Sequence, residues 1–349
     1  MHPPPMTSRR QIAPGTVLAS VATGFEAFVE SQGADADAVL GRAGLHRGLA
    51  AQPSTAIPLS SYCRALDEAV AATGNDNLAL WFGDQFQPSS FGLLGYLAMS
   101  APTLGCALQN IAGQFPVHQQ YSYLRLRRHE DLCRLEYQVY DNSVLNRRHD
   151  AELSMGMFLN VMRHTLGDHW APLEVHFQHD KPEAWQEHRW VFGADVRFRQ
   201  SHNALVFRQD VLAQPMPNAD HNLQLLIQKS LELLASTRQA SDGLPERVKL
   251  QIMEMLETGL PRMEDVATRL GIPSWTLHRR LGQEGTGYKE LLEQVRKEQI
   301  PILMRQRHLS ISELAFRLGY SEVSAFSRAF QRWYGVSPKH WRDVEASTS

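Results

Sequence analysis

The chain has 349 residues, of which 43% are hydrophobic, and a formal net charge of −2. This length accommodates two domains with real hydrophobic cores. No apolar run approaches the length of a bilayer-spanning helix, and the N-terminus, MHPPPMTSRRQIAPG, lacks the apolar segment of a secretory signal. We therefore expect a cytoplasmic protein that makes no contact with a membrane.

The three cysteines, Cys63, Cys106 and Cys133, are scattered along the sequence with no paired spacing. Such usage indicates a reducing compartment, and it indicates packed thiols rather than redox sensors or metal ligands.

The first two thirds of the sequence predict an α+β domain. A disordered lead over residues 1–16 precedes segments in which apolar residues recur every three or four positions, the spacing of a helix. The predicted helices cover residues 17–31, 35–44, 58–73 and 77–86. An apolar stretch over 91–115 is interrupted by Pro102 and Gly105, so we expect a packing segment that continues into a helix.

The spacing of the apolar residues then changes to every second position. Residues 119–128 and 132–140 alternate tyrosine or leucine with polar residues, which predicts a β-hairpin. The remaining predicted elements are a helix over 150–166, a strand over 172–178, a short helix over 182–188, and strands over 196–198 and 204–207.

Four residues that alternate along the first hairpin strand, Tyr121, Tyr123, Arg125 and Arg127, share one face of that strand. Tyr121, Tyr123 and Arg125 are candidates for lining a pocket that takes an anionic effector. The other interpretation is that these side chains divide between the core and the solvent.

The sequence shows no glycine-rich phosphate loop, no metal cluster, no Cys/His dyad and no paired carboxylates at a useful spacing. We therefore expect no catalytic residue, no cofactor, no bound metal and no enzyme activity.

An amphipathic helix is predicted over residues 221–236. It is either a core helix or a dimerisation helix, and the sequence does not choose between the two. It closes an α+β domain over 17–236, and residues 237–246 are the best candidate for a linker to a C-terminal domain over 247–345.

Two helix-turn-helix patterns lie in that C-terminal region. The first unit covers residues 263–281 and the second unit covers 311–330. Each unit has a small residue in its first helix and, four residues later, a glycine for the turn. Residues 263–342 contain 13 Lys and Arg against 8 Asp and Glu, a net charge of +5, so the remainder of the chain has −7. A basic region on an acidic chain favours a polyanionic partner for that region alone.

The second helix of each unit should present its N-terminal part to base edges in the major groove of DNA. Apolar anchors face inward, and the remaining residues should face outward. In the first unit these are Trp275, Thr276, His278, Arg279 and Arg280. In the second unit they are Val323, Ser324, Ser327 and Arg328.

Individual roles follow from side-chain chemistry. Arg279 suits a bidentate contact to guanine, with a contact to phosphate alone as the alternative, whereas Arg280 suits a phosphate or an intraprotein contact. Val323 can meet only a thymine methyl, so we expect the second helix to discriminate less between sequences than the first. A helix over 288–306 should separate the two units by about one turn of DNA, roughly 34 Å, although Pro301 within it removes a hydrogen bond and favours a kink.

Residues 247–342 resemble the DNA-binding domain of the AraC/XylS family of bacterial transcription regulators. The segment LGYSEVSAFSRAFQRWYGVSPKHWR, residues 318–342, carries the resemblance most clearly. It implies an all-α domain of two helix-turn-helix units joined by a linker helix. It also implies DNA contacts at Trp275, His278 and Arg279 in the first unit, and at Val323, Ser324 and Arg328 in the second.

The N-terminal region is similar to the arabinose-binding-like sensor domain of one subgroup of that family, on residues 91–108 and 198–220. The two resemblances together imply a transcription activator that contacts RNA polymerase, responds to a small effector and forms a homodimer. Two alternatives are a regulator gated by a protein partner or by abundance, and an enzyme with a regulatory DNA-binding tail. The second alternative would need a cysteine in a nucleophilic motif.

Overall fold

A computed structural model describes residues 15–239, 243–256, 259–306 and 309–346 of the chain. The predicted lead falls almost entirely on residues 1–14, which lie outside these ranges. Its last two residues do not belong to a lead, because Gly15 donates its N–H to the Asp141 carboxylate over 2.7 Å and Thr16 begins a strand.

The N-terminal domain, residues 15–239, interleaves strands and helices. Its strands are β1 (Thr16–Leu18), β2 (Ala56–Pro58), β3 (Ser122–His129), β4 (Leu132–Val139), β5 (Glu174–His176), β6 (Asp195–Arg197) and β7 (Asn203–Arg208). Its α-helices are α1 (Phe25–Ser31), α2 (Ala36–Arg42), α3 (Leu59–Thr73), α4 (Leu78–Gln85), α5 (Leu93–Met99), α6 (Leu104–His118), α7 (Arg148–Leu166), α8 (Gln186–Phe192) and α9 (His221–Gln239).

The strands form a two-stranded sheet, β1–β2, and a five-stranded sheet in the order β3-β4-β7-β5-β6. The hairpin predicted from the alternating residues is confirmed, since β3 and β4 pair antiparallel along their whole length. Only β5 and β6 pair parallel among the described strands. A single large core, with buried Tyr62, Phe115 and Phe158, joins the helices to this sheet.

Two predicted helices differ from the structure. The first half of the helix expected over 17–31 is β1 followed by a 3₁₀ turn, because β1 pairs with β2, a segment about 40 residues away along the chain. The short helix expected over 182–188 lies later, at Gln186–Phe192.

The C-terminal domain, residues 243–346, is all-α over its described residues. Its helices are α10 (Leu244–Leu256), α11 (Met263–Arg269), α12 (Ser274–Gln283), α13 (Tyr288–Arg305), α14 (Ile311–Arg317), α15 (Val323–Tyr334) and α16 (Pro338–Ala346). An α+β domain followed by an all-α domain of two helix-turn-helix units is the predicted fold class, which the structure confirms.

The connection between the domains is shorter than the predicted linker. Residues 237–239 end α9, and residues 244–246 belong to the first turn of α10. Residues 240–242 lie outside the described ranges. No helix within the described ranges is both long and apolar enough to cross a bilayer.

Candidate DNA interface

The first unit is built from α11 and α12 around a small core. Val266 and Ala267 of α11 pack with Leu277 and Leu281 of α12, and all four are buried. Gly271 in the turn has φ 68°, a left-handed conformation that glycine adopts without a steric cost. The turn and the inward anchors therefore agree with the sequence prediction.

The outward face of α12 presents an unusual concentration of exposed aromatic and basic side chains. Trp275 is 65% exposed, and His278, Arg279 and Arg280 are exposed as well. The Arg279 guanidinium lies over the Trp275 indole, 5.5 Å from the ring centroid, one helical turn away. Such a contact restricts both side chains before any ligand arrives.

Thr276 departs from the expected position. Thr276 is only 8% exposed, and it lies on the inner side of α12 beside Leu277. The prediction that Thr276 faces outward is wrong, because the inner stripe of this helix is wider than the positions of the two leucines indicate.

The second unit has its own core, and its first helix has an N-terminal cap that the first helix of the first unit lacks. Ser310 and Glu313 form a reciprocal capping box at the N-terminus of α14. Phe326 and Phe330 of α15 are buried four residues apart, with ring centroids 5.7 Å from each other. They anchor α15 in a core to which α16 also contributes.

The outward residues of α15 are less exposed than those of α12. Ser324 and Arg328 are exposed, whereas Val323 and Ser327 are half-buried. Val323 packs against the edge of the second core. Arg328 is therefore the one cationic side chain among the four predicted contacts of this unit.

The helix α13 connects the two units through both cores. Its N-terminal half contributes Leu291 and Val295 to the first core, and its C-terminal half contributes Ile300 and Leu303 to the second. Its 18 residues span about 27 Å at 1.5 Å per residue.

Pro301 lies inside α13 without ending it. A proline at this position leaves the carbonyl of Lys297, four residues earlier, without its helical N–H donor. The Tyr334 hydroxyl of α15 donates to that carbonyl over 3.0 Å. Burial raises the pKa of Tyr334 to about 12, so the hydroxyl keeps the proton that it donates. The second unit thus supplies the bond that the proline removes.

Further polar contacts fix α13 to the second unit. Arg296 donates to the carbonyls of Leu318 and Gly319 over 2.8 and 2.9 Å, at the turn between α14 and α15. The Trp333 indole N–H donates to Glu293 over 2.6 Å. The turn and the recognition helix α15 are therefore held directly by the linker helix.

The candidate effector residues, Tyr121 just before β3 and Tyr123 and Arg125 within it, lie against the C-terminal domain. Tyr121, Tyr123 and the nearby Tyr140 are buried in the same cluster as the first core. Arg125 donates to the backbone carbonyl of Glu254 over 3.0 Å, and its guanidinium lies 4.4 Å from the Tyr123 ring centroid. The alternation along β3 correctly predicted a shared face, and an effector role for these residues stays a prediction.

A second contact between the domains involves α13. The Gln299 side-chain amide donates to the Tyr140 carbonyl and to Asn142 Oδ1, each over 3.3 Å. No local spacing in the sequence signals Glu254 or Gln299, because each contacts a segment more than 100 residues away. The β3–β4 face and the first unit form one continuous interface.

The family described as the arabinose-binding domain of AraC transcription regulators, N-terminal, matches residues 33–216, and a helix-turn-helix domain family matches residues 266–343. An HTH-type transcriptional regulator of Mycobacterium tuberculosis is 36% identical over 149 residues, which is 42% of each chain. The match thus spans less than half the length of that relative.

Two other relatives match over more of their length. The regulator VirS of M. tuberculosis is 28% identical over 91% of this chain and 94% of its own. The ornithine utilization regulator of Pseudomonas aeruginosa is 27% identical over 79% of this chain and 81% of its own. Among solved structures, the transcriptional regulator CdpR of P. aeruginosa covers 90% of this chain and 98% of its own with 24% identity and a TM-score of 0.42.

Proposed function

The chain belongs to the AraC family of DNA-binding transcription regulators, and from this we propose that it regulates transcription at a specific double-stranded DNA site in response to a small effector. The outward face of α12 is the observation that carries the proposal. Trp275, His278 and Arg279 are exposed together on the helix that a helix-turn-helix unit presents to the major groove.

The proposed contacts divide into base reading and phosphate binding. Arg279, held against Trp275, reads guanine through two hydrogen bonds, while Trp275 and His278 meet thymine methyls or polar base edges. Arg280 binds phosphate. In the second unit Ser324, Ser327 and Arg328 make contacts that mainly position the domain, and Val323 offers at most an apolar contact.

The two units read different sequences, so the site is proposed to be asymmetric, with one recognition helix in each of two successive major-groove segments. The contacts of α13 with both cores support a fixed separation between the units. The charge of +5 over residues 263–342 supports the affinity for DNA, which should fall with salt.

Effector control is proposed to act through the interface between the β3–β4 face and the first unit. An effector that favours one arrangement of the N-terminal domain would favour one orientation of α10 and α13, which carry the Glu254 and Gln299 contacts. A small molecule that binds near Tyr121, Tyr123 and Arg125 would act on this interface directly.

A homodimer is proposed through α9. Ile227 and Leu231 bury one face of this helix in the N-terminal core, whereas Leu225, Leu226 and Leu233 are 51%, 66% and 63% exposed. The two roles considered for α9, core helix and dimerisation helix, are therefore compatible, because each would use a different face of the helix. A second copy of α9 would cover the exposed leucines.

Dimerisation is tested by light scattering of the full chain at increasing concentration. Leu226→Glu combined with Leu233→Glu should shift the mass from dimer to monomer. Leu145→Glu is the matched control, since Leu145 is 71% exposed and lies in the segment between β4 and α7. A wild-type chain that stays monomeric, or a double variant that stays dimeric, would remove this part of the proposal.

We further propose that the bound regulator activates transcription by contacting RNA polymerase, in the cytoplasm and without enzyme activity of its own. Burial raises the pKa of the Cys63 and Cys133 thiols, so neither is prepared as the thiolate that an alkyl-transferring enzyme requires. Transcription in vitro with purified polymerase tests the sign of regulation, and repression at every bound promoter would contradict activation.

A genomic map of the sites bound by the tagged protein tests the proposed function as a whole. It should give a compact asymmetric motif at promoters, and purified protein should bind that motif at least 1000-fold more tightly than random DNA. A map without a motif would contradict sequence-specific binding. The genes near the sites would name the pathway from which effector candidates are drawn.

A further inference from the structure

Three side chains capable of binding a metal meet inside the N-terminal domain, away from the DNA interface. Glu152 comes from α7, His179 follows β5, and His188 comes from α8. One ligand atom of each residue lies within 4.8 Å of the other two. The sequence predicts no metal cluster, because these three residues come from separate elements and show no motif spacing.

The cluster is enclosed. Glu152 and His188 are fully buried, and the His179 side chain is 14% exposed. Phe177 and Phe198 pack around both imidazoles, with ring centroids 4.9 to 5.6 Å from those of the histidines. An apolar shell of this kind lowers the local dielectric and strengthens the interaction between a carboxylate and any cation that enters.

The hydrogen bonds leave ligand atoms available. His179 Nδ1 lies 2.9 Å from the carbonyl oxygen of Asp180, which can only accept, so Nδ1 carries the proton. The Nε2 atom of neutral His179 is then a bare acceptor, and it lies 3.4 Å from Glu152 Oε1, another acceptor, without a hydrogen bond. Two acceptors that face each other in a buried site repel each other unless a proton or a metal cation lies between them.

The Glu152 carboxylate keeps a free oxygen for such a cation. Oε1 accepts from Arg148 and from His188 Nε2, each over 2.8 Å. Among the described residues, Oε2 is buried with no hydrogen-bond partner. The Arg148 guanidinium also pairs with Asp76 over 2.8 Å, so its charge is balanced by a carboxylate outside the cluster.

We propose that Glu152, His179 and His188 bind one divalent cation of the zinc class. Two imidazole nitrogens and a carboxylate oxygen are a zinc donor set, with a fourth position left for water. Binding requires the neutral tautomer of His188 that carries its proton on Nδ1, which leaves Nε2 free to act as the ligand. The Asp180 carbonyl fixes the tautomer and the ring orientation of His179, the usual task of a group behind a metal ligand.

Titration of the metal-stripped full chain with Zn²⁺ by calorimetry tests the site, with Co²⁺ as a spectroscopic probe. We expect one tight Zn²⁺ per chain and a visible absorption band typical of tetrahedral Co²⁺. Glu152→Gln and His179→Gln should each weaken Zn²⁺ binding on the order of 100-fold or more and abolish the band. His179→Gln changes a residue at the edge of the cluster, so it should remain folded even if the variant of buried Glu152 does not.

His176→Gln is the matched control, because His176 also pairs with a glutamate, Glu174, over 2.8 Å in the same domain. It should leave tight Zn²⁺ binding and the Co²⁺ band unchanged. The proposal is overturned if the wild-type chain binds no stoichiometric Zn²⁺, or if His179→Gln binds it as tightly as wild type. It is also overturned if the His176 variant loses the site.

Discussion

The first and second helix-turn-helix units share a fold but differ in the contacts that attach each of them to the rest of the chain. The core of the first unit continues into Tyr121, Tyr123 and Tyr140 of the N-terminal domain. The recognition helix of the second unit is bonded to the linker helix through Trp333 and Tyr334. The unit with more exposed aromatic and basic side chains on its second helix is thus the one that packs on the N-terminal domain. In the proposed function, base reading and effector control therefore involve the same unit.

The largest effect that would test this division is expected at Arg279. Arg279→Ala should weaken binding to the specific site by roughly 1–3 kcal/mol, about 5- to 150-fold, and relax the preference at one base pair, because a bidentate contact to guanine is lost. Binding titrations against the specific site and single-base variants measure both effects. Arg269→Ala is the control, since Arg269 pairs with Glu254 and lies on α11. An equal loss on random DNA would show that Arg279 contacts only phosphate.

A smaller effect is expected at the interface that distinguishes the first unit. Arg125→Ala removes a charged hydrogen bond to Glu254 and the contact with Tyr123, so docking of α10 should weaken by about 1.5 kcal/mol. Amide hydrogen exchange of the full chain should become faster in α10 and β3, with little change in α14 and α15.

Arg127→Ala provides the comparison for that experiment. Arg127 lies on the same strand but pairs with Glu136 within the N-terminal domain, over 2.7 Å. Its variant should leave exchange in α10 unchanged. If Arg125→Ala also leaves amide exchange in α10 unchanged, the first unit is not stabilised by its contact with the β3 face.

The attachment of the second unit is tested at Tyr334. Tyr334→Phe should lower the free energy of unfolding by about 1 kcal/mol, because it leaves the Lys297 carbonyl without a donor. In a Pro301→Ala background the cost should be smaller, since the new backbone N–H can bond that carbonyl. Urea unfolding of the four proteins in a double-mutant cycle measures the difference. Equal costs in both backgrounds would mean that the tyrosine does not compensate for the proline.

The smallest change in sequence preference is expected at Arg328. Arg328→Ala should weaken binding to the specific site and to random DNA to a similar degree. It should also reduce the salt dependence of binding by the amount expected for the loss of about one phosphate contact. A relaxed preference at one base pair would instead make the second unit a reader equal to the first.

The sequence was most informative where the signal is local. The alternation of tyrosine and leucine predicted the β3–β4 hairpin, and the spacing of Leu277 and Leu281 predicted the buried face of α12. Both follow from the fixed period of a strand or helix, which a short window contains.

The sequence was uninformative where the partner is distant. Residues 17–22 are not helical, because β1 pairs with β2. The face of Tyr121 and Tyr123 was identified, but the C-terminal helix that covers it was not. Pro301 removes a helical hydrogen bond from the Lys297 carbonyl, and the distant Tyr334 hydroxyl supplies the replacement. In each case a tertiary contact decides the outcome, and a single sequence does not record it.

Selection of binding sites from a random DNA library, with wild type and Arg279→Ala side by side, tests the central account most directly. We expect wild type to select an asymmetric motif with one strong and one weak half, and the variant to lose a guanine preference in the strong half only. A motif with two equally strong halves, or one that the variant selects unchanged, would contradict the assignment of sequence reading to the first unit.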